Sequence, residues 1–200
     1  IQPGLYLELV PLPFLVLRAE YDAQLFMGMN KSLLRFDSER APFGDDELER
    51  RDGDELTGVA QRAFGQLLLR AALARFYASV DNQLYFYAFH DRGPYLYESE
   101  FDTLLEPRDW LWNGRGQLAL DVSSLDTPPV TFVGLFYERT DTFDTDLTRQ
   151  RVGAFVYFEP PRGWLGFAAS RVYGQMGVNL EDRNRDGGVF GALGAGVDWG

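Results

Sequence analysis

The sequence of 200 residues contains no cysteine, a single histidine (His90) and a single lysine (Lys31). Without cysteine the chain has no disulfide, no thiolate zinc site and no thiol nucleophile. One histidine excludes a metal site built from several histidines. The sequence also lacks any uncharged apolar run of 18 residues, and a transmembrane helix needs about 20 predominantly apolar residues. A membrane-spanning helix is therefore not expected.

Positive charge is scarce, because 19 Lys and Arg residues face 30 Asp and Glu residues for a net charge of −11. A nucleic-acid partner is excluded, since phosphate binding needs a basic stripe. The chain is nevertheless 46% apolar and 15% aromatic, which is too hydrophobic for a disordered segment. The length suits one domain over residues 1–200.

Through most of the sequence, apolar and polar residues alternate with a period of two. In 14–25 one side of the alternation becomes charged, with Arg18, Glu20 and Asp22, while the other side stays apolar. The segment 66–78 also fits a helix, but a strand is expected there because the neighbouring segments are strands. A bulge is expected near Arg171. The predicted strands are 4–10, 14–25, 59–73, 76–90, 110–122, 130–142, 151–159, 163–180 and 189–199.

Short and long connections alternate along these strands. The short turns are expected at 11–13, 81–82, 124–129 and 160–161, and the longer polar loops at 29–58, 91–109, 143–148 and 181–188. An up-and-down meander has this arrangement, with all short turns at one end of the sheet and all long loops at the other. The fold class is therefore all-β and antiparallel.

The pattern resembles the bacterial outer-membrane β-barrels as a class. Short turns and long loops, small residues on the apolar side (Gly114, Gly116, Ala154 and Ala195), and aromatic residues near strand ends carry the resemblance. These aromatic residues are Tyr6, Tyr21, Trp110, Trp112, Trp164 and Trp199. The resemblance implies an up-and-down transmembrane β-barrel of about ten strands in the outer membrane of a Gram-negative bacterium. Its implied partners are the lipid bilayer and other envelope proteins.

The charged side of the alternation is expected to face the lumen of such a barrel. Buried charges left alone cost several kcal/mol, so charges of both signs on one face should pair with each other. The residues predicted to point inward are Arg18, Glu20, Asp22, Arg115, Asp121 and Arg151.

The strand count leaves the barrel incomplete. Nine candidate strands run from an outside start to a periplasmic end, whereas closed bacterial barrels have even numbers of strands and start inside. We therefore expect at least one further strand before Ile1, supplied by other sequence or by another chain.

One motif points to a cation. Residues Asp182, Asn184 and Asp186 followed by Gly187 match the D-x-N-x-D-G start of a calcium loop, in which alternate oxygen-bearing side chains curl around Ca²⁺. Leu193 stands at position twelve, where a bidentate Glu is usual. The alternative is an Asx-rich hairpin loop, in which the same residues only form the turn.

The favoured function is an outer-membrane barrel with an envelope-structural, assembly or narrow-transport role and no catalysis. His90 lies beside Asp91 but has no serine nearby in the sequence, so a catalytic triad is not indicated. The alternative is a soluble β-sandwich or β-barrel that acts as a binding module. An outer-membrane enzyme comes third.

Overall fold

Antiparallel strands account for nearly all of the regular structure. The computed structural model describes residues 4–27, 33–90, 93–123, 129–161 and 169–198. In chain order the elements are β1 (Gly4–Leu12), β2 (Leu15–Met27), β3 (Arg35–Phe36), α1 (Asp45–Arg50), β4 (Thr57–Leu73), β5 (Phe76–Phe89), β6 (Tyr95–Glu98), β7 (Thr103–Leu105), β8 (Arg108–Asp121), β9 (Val130–Thr142), β10 (Thr148–Glu159), β11 (Ala169–Asp182) and β12 (Val189–Asp198).

The large sheet is a nine-stranded antiparallel meander in the order β1-β2-β4-β5-β8-β9-β10-β11-β12. Its strands correspond one to one to the nine strands predicted from the alternation, and the segment weighed as a helix at 66–78 is the hairpin of β4 and β5. The all-β, antiparallel, up-and-down part of the prediction is confirmed.

The sheet is not closed into a barrel. Among the described residues, β1 and β12 are the two edge strands and do not pair with each other. Each edge strand therefore has only one neighbouring strand, β2 for β1 and β11 for β12.

The hairpin turns within the described residues, such as the turn between β4 and β5, lie at one end of the sheet, and two details of the prediction are wrong at that end. The expected turn at Asp81 and Asn82 lies inside β5, where Asp81 pairs with Leu68 on one side and Arg115 on the other. The actual turn is at Ala74 and Arg75, and Ala74 adopts a positive φ of 53°. Neither residue is a usual turn former, so the turn carries no local signal.

The second wrong detail is the bulge near Arg171. The pairing of β11 with β12 runs without interruption from Ala169 to Val178. The irregularity lies instead at the other end of β11, where Gln150 pairs with Glu181 but Arg151 pairs with Asn179. Leu180 is therefore the extra residue, next to the acidic loop rather than in the middle of the strand.

The long connections at the opposite end are structured, although the sequence predicted polar loops. Strands β3, β6 and β7 form a second sheet of three strands, and α1 lies between β3 and β4. Together with their connections, these elements are here called the cap. No helix among the described residues is long and apolar enough to cross a membrane.

The cap packs on one face of the large sheet. A buried cluster joins Phe26, Ala60, Tyr87 and Leu111 of the sheet to cap residues such as Leu105. A second buried cluster lies within the cap and surrounds the Phe43 and Tyr97 rings, whose centroids are 6.0 Å apart. The sheet face under the cap also carries the charged residues, and we call it the concave face.

The large sheet is strongly curved towards this face. Arg115 on β8 donates to the Tyr173 hydroxyl on β11 at 2.7 Å, and the Phe136 ring on β9 lies 6.1 Å from the Phe190 ring on β12. Both pairs join strands three positions apart, which a flat sheet would separate by about 14 Å at roughly 4.7–4.9 Å per strand. These side chains lean across the strands between them, and the curvature itself shows in a cavity of about 380 Å³ that is lined both by Arg70 of β4 and by Tyr173 of β11, five positions apart in the sheet.

Two glycines allow aromatic rings to lie flat on the concave face. Gly134 pairs with Phe155 and Gly153 pairs with Phe136 across neighbouring strands. A Cβ atom at Gly134 would come within 2.7 Å of the Phe155 ring, and one at Gly153 within 2.9 Å of the Phe136 ring. Each ring therefore covers the glycine backbone, and any larger residue at these positions would push the ring away. This arrangement is known as aromatic rescue of strand glycines.

Truncating Leu111 should destabilise the fold far more than truncating Leu118 on the same strand. Leu111 is 0% exposed in the cluster beneath the cap, whereas Leu118 is 66% exposed on the opposite face. Leu111→Ala should lower the free energy of unfolding by about 2–5 kcal/mol, and Leu118→Ala by under about 1 kcal/mol, because only the first leaves a cavity. Urea unfolding in detergent micelles, followed by tryptophan fluorescence, measures both. Equal losses would contradict the packing of the cap on the concave face.

Candidate functional site: the charged concave face

The six residues predicted to face a lumen all lie on the concave face of the large sheet. The pairing of neighbouring strands places them in line, because Arg18 is opposite Gln66, Asp22 is opposite Arg62, and both Arg115 and Arg151 are opposite Glu138. The structure therefore brings these charges to one surface. Four of them belong to two clusters, and the other two, Arg18 and Asp121, make separate local contacts.

The first cluster centres on Arg62 of β4. Its guanidinium Nη2 lies 2.7 Å from Asp22 Oδ2 and 3.8 Å from Glu20 Oε1, and its Nη1 lies 3.4 Å from Glu100 Oε2 in the cap. The guanidinium also lies 5.7 Å from the centre of the Tyr85 ring. One arginine thus ties two strands and the cap together.

The second cluster centres on Glu138 of β9. The Glu138 carboxylate is buried and contacts three guanidinium groups, from Arg115 at 3.4 Å, Arg149 at 4.0 Å and Arg151. Arg149 also lies 3.4 Å from Asp102 in the cap, and Arg185 lies 2.7 Å from the same carboxylate. This cluster therefore runs continuously from the middle of the sheet to the loops.

The remaining predicted charges make local contacts. Arg18 donates to Glu8 of β1 at 2.5 Å and to Gln66 of β4 at 3.1 Å. Asp121, at the turn end of β8, accepts a hydrogen bond from the Ser123 backbone N–H at 2.8 Å. Arg18 thus has a partner of opposite charge on the neighbouring strand, whereas Asp121 is held by a turn.

Sequence reasoning missed the residues at the centre of both clusters. Arg62 and Glu138 lie on strands whose alternation is irregular, and Glu100 and Asp102 lie in the cap, where no strand was expected. Period-two alternation could have identified Arg62 and Glu138. Arg62 lies four residues before Gln66, and Glu138 lies two residues before Thr140, so each is on the same face as a polar residue of its own strand. No local signal identifies Glu100 or Asp102, because a tertiary fold brings them there.

The cap contains a buried carboxylate that none of these arginines neutralises directly. Glu98 of β6 is 1% exposed, and its two carboxylate oxygens accept hydrogen bonds from the backbone N–H groups of Glu100 and Phe101 at 3.1 and 2.7 Å. Burial raises the pKa of Glu98 to about 7, against the lowering effect of those two N–H donors.

The residues of the predicted calcium loop make the contacts of a turn. Asp182 Oδ1 accepts from the backbone N–H groups of Asn184 and Arg185 at 2.9 and 3.0 Å, and Asn184 Oδ1 accepts from the Phe43 N–H at 3.2 Å. In the part of the chain that the structure describes, no group of three or more His, Cys, Asp or Glu side chains could hold a metal ion. Calcium binding at Asp182, Asn184 and Asp186 stays a prediction.

Comparison with protein-family models, with curated proteins and with solved structures gives no match for this chain. Interpretation of the concave face therefore depends on its own geometry.

Removing the charge of Glu138 should destabilise the protein much more than removing the charge of Asp141, which lies on the opposite face of the same strand and has an exposed partner. Glu138→Gln leaves three guanidinium groups without their shared carboxylate and should cost about 3–5 kcal/mol. The matched control on the same strand is Asp141→Asn, whose partner Arg139 is 43% exposed, and about 1 kcal/mol or less is expected there. Urea unfolding midpoints compare the two. A Glu138→Gln loss no larger than that of the control would contradict the central role of Glu138.

The buried Glu98 should make the cap less stable as the pH rises. A folded-state pKa near 7, above the ordinary value near 4.5, gives a stabilising contribution that is complete below pH 4.5 and lost as the pH passes 7. At about 1.4 kcal/mol per pKa unit, the loss amounts to about 3 kcal/mol. Unfolding free energies measured from pH 5 to 8 should fall by most of this amount in the wild type, because the unfolded carboxyl is already largely ionised at pH 5, and should stay nearly level in Glu98→Gln. A slope of equal size in the variant would assign the effect to other groups.

Proposed function

We propose that the nine-stranded sheet is the wall of an outer-membrane β-barrel with an envelope-structural, assembly or narrow-transport role and without catalysis. In this proposal its uncovered face meets the lipid and its concave face lines the interior. The bilayer is the principal partner, and other envelope protein chains are the expected protein partners. The observation that carries the proposal is the side of the sheet on which the cap packs.

The uncovered face of the sheet is apolar along its whole width. Large apolar side chains remain exposed there on every strand from β4 to β12. They include Leu67, Leu69, Val80, Leu84, Leu118, Val133, Leu135, Val156, Met176, Val178 and Leu193. Soluble monomers rarely expose apolar patches of more than a few hundred Å², so this surface needs a non-aqueous environment or a partner.

The cap covers the other face. A soluble β-sandwich buries its apolar face under a second sheet. Here the second sheet packs on the concave face, where the ion pairs of Arg62 and Glu138 lie, and the apolar face stays bare. The large apolar face that is left without a cover supports the proposal of a barrel wall in lipid.

The dimensions of the strands agree with a bilayer. Apart from the two edge strands, the strands of the large sheet contain between 12 and 17 residues. A tilted strand needs about 9–11 residues to cross the hydrocarbon layer, whereas strands of soluble proteins usually have about 5–6. Trp110 adds an exposed aromatic ring to the apolar face at the loop end of β8, 4.9 Å from the Phe86 ring.

Closure of the barrel is the remaining step of the proposal. In lipid the unpaired N–H and C=O groups of an edge strand cost several kcal/mol each, so β1 and β12 must find partners. The curvature of the sheet brings the two edges round towards the concave side. We propose that they are joined through at least one additional strand or by another chain.

Arginine at Leu84 should prevent insertion, whereas arginine at the adjacent Gln83 should be tolerated. Leu84 lies near the middle of β5 on the apolar face, where an arginine costs about 2–4 kcal/mol in lipid. Gln83 lies on the concave face, 2.9 Å from the Asp81 carboxylate, which an arginine can pair with. Folding yields into liposomes, measured by protease protection and heat-modifiable gel mobility, should fall several-fold for Leu84→Arg only.

The same protein preparations decide between this proposal and a soluble binding module. A wild-type chain that stays monomeric at high concentration without detergent, together with a soluble and folded Leu84→Arg, would contradict the membrane proposal. A wild-type chain that needs detergent supports it.

A further inference from the structure

A polar pocket of about 730 Å³ lies between the cap and the loop ends of β10, β11 and β12. Three of its wall residues are arginines, and two are aromatic residues. The residues that matter here are Tyr97, Asp102, Arg149, Arg151, Arg185 and Phe190. Its sheet residues Arg149, Arg151 and Phe190 lie on the concave face.

Arg149, one of the wall residues of this pocket, lacks close hydrogen-bond partners for its guanidinium group. The residue is 8% exposed, yet its nearest carboxylate oxygens are 3.4 Å away on Asp102 and 4.0 Å away on Glu138. Its Nε–H has no hydrogen-bond partner, and the same holds for the buried Nε–H of Arg151. A guanidinium group has five N–H donors, and leaving buried donors unpaired is unfavourable.

The net charge of the wall residues does not indicate which ligand the pocket binds, because the walls also carry the carboxylates of Asp45, Glu100 and Asp102. The chemical type of the unpaired buried atoms is more informative. Both unpaired atoms at the base, Nε of Arg149 and Nε of Arg151, are donors. A ligand that completes them must supply acceptor oxygens.

We propose that this pocket binds the phosphate group of a small soluble ligand. The planar guanidinium group binds phosphate through pairs of parallel N–H···O bonds, and a tetrahedral phosphate offers more acceptor oxygens than a carboxylate. The rings of Tyr97 and Phe190 provide apolar wall for the rest of the ligand, and the volume exceeds what phosphate alone fills. A lipid headgroup has the same phosphate chemistry, but the lipid-facing surface lies on the other side of the sheet.

Calorimetric titration with inorganic phosphate tests the proposal on the full chain folded in detergent micelles, with ionic strength held constant by chloride. The wild type should bind phosphate saturably. Arg149→Gln and Arg185→Gln should each weaken binding at least about tenfold, the loss of one charge-assisted contact. Arg139→Gln is the control, because Arg139 lies on the opposite face paired with Asp141, and its binding should equal that of the wild type.

Folding of each variant is checked by circular dichroism before titration. Arg149→Lys keeps the buried positive charge but loses the planar fork, so it should fold and still bind phosphate more weakly than the wild type. If Arg149→Gln does not fold, Arg149→Lys and Arg185→Gln decide the question.

Three results would overturn the proposal. Absence of saturable phosphate binding would show that the pocket contains water only. Equal binding by the wild type, Arg149→Lys and Arg185→Gln would place phosphate elsewhere. Binding to vesicles containing phosphatidic acid that Arg149→Lys weakens, without binding of inorganic phosphate, would identify a headgroup site instead of a soluble ligand.

Discussion

Charge pairing between directly opposed residues on neighbouring strands is the interaction on which the register of the large sheet depends. Glu8 stands opposite Arg18, Asp22 opposite Arg62, and Glu138 opposite Arg115 and Arg151. A slip of one residue in any of these strands would turn its charges to the apolar face and its apolar side chains to the charged face. Buried ion pairs add little to stability, but the penalty for leaving one charge alone is high, so the pairs exclude wrong registers more than they stabilise the right one.

The same pairs explain why the cap lies where it does. Glu100 reaches Arg62, and Asp102 reaches both Arg149 and Arg185, so cap carboxylates complete charge clusters that begin on the sheet. The apolar residues of the cap then pack beside these clusters on the aromatic rings of β5. The opposite face carries the Arg139–Asp141 pair near its loop end, but those charges already pair with each other, and the cap leaves this face uncovered. Polar contacts therefore determine which face of the sheet the cap covers, as much as the burial of apolar side chains does.

Period-two alternation predicted the nine strands and grouped six charged residues on one side of them, because strand period and side-chain direction follow from backbone geometry that is local. The turn at Ala74 and Arg75 escaped prediction, since neither residue favours a turn and the hairpin is imposed by the pairing of β4 with β5. The cap escaped for a related reason. Strands of two to four residues, such as β3 and β6, carry too few positions for alternation to show. The central position of Glu138 depends on three strands meeting, which no single segment reveals.

The small sheet of the cap joins chain segments that are far apart in sequence. Arg35 of β3 pairs with Leu96 of β6, whereas most neighbouring strands of the large sheet are joined by a short turn or loop. Closing so long a segment is entropically costly until β2, β4, β5 and β8 have already brought its ends together. We therefore expect the cap to assemble last and to open first. Such opening would leave every strand of the large sheet paired with its neighbours, so the concave face would be uncovered without unfolding of the sheet.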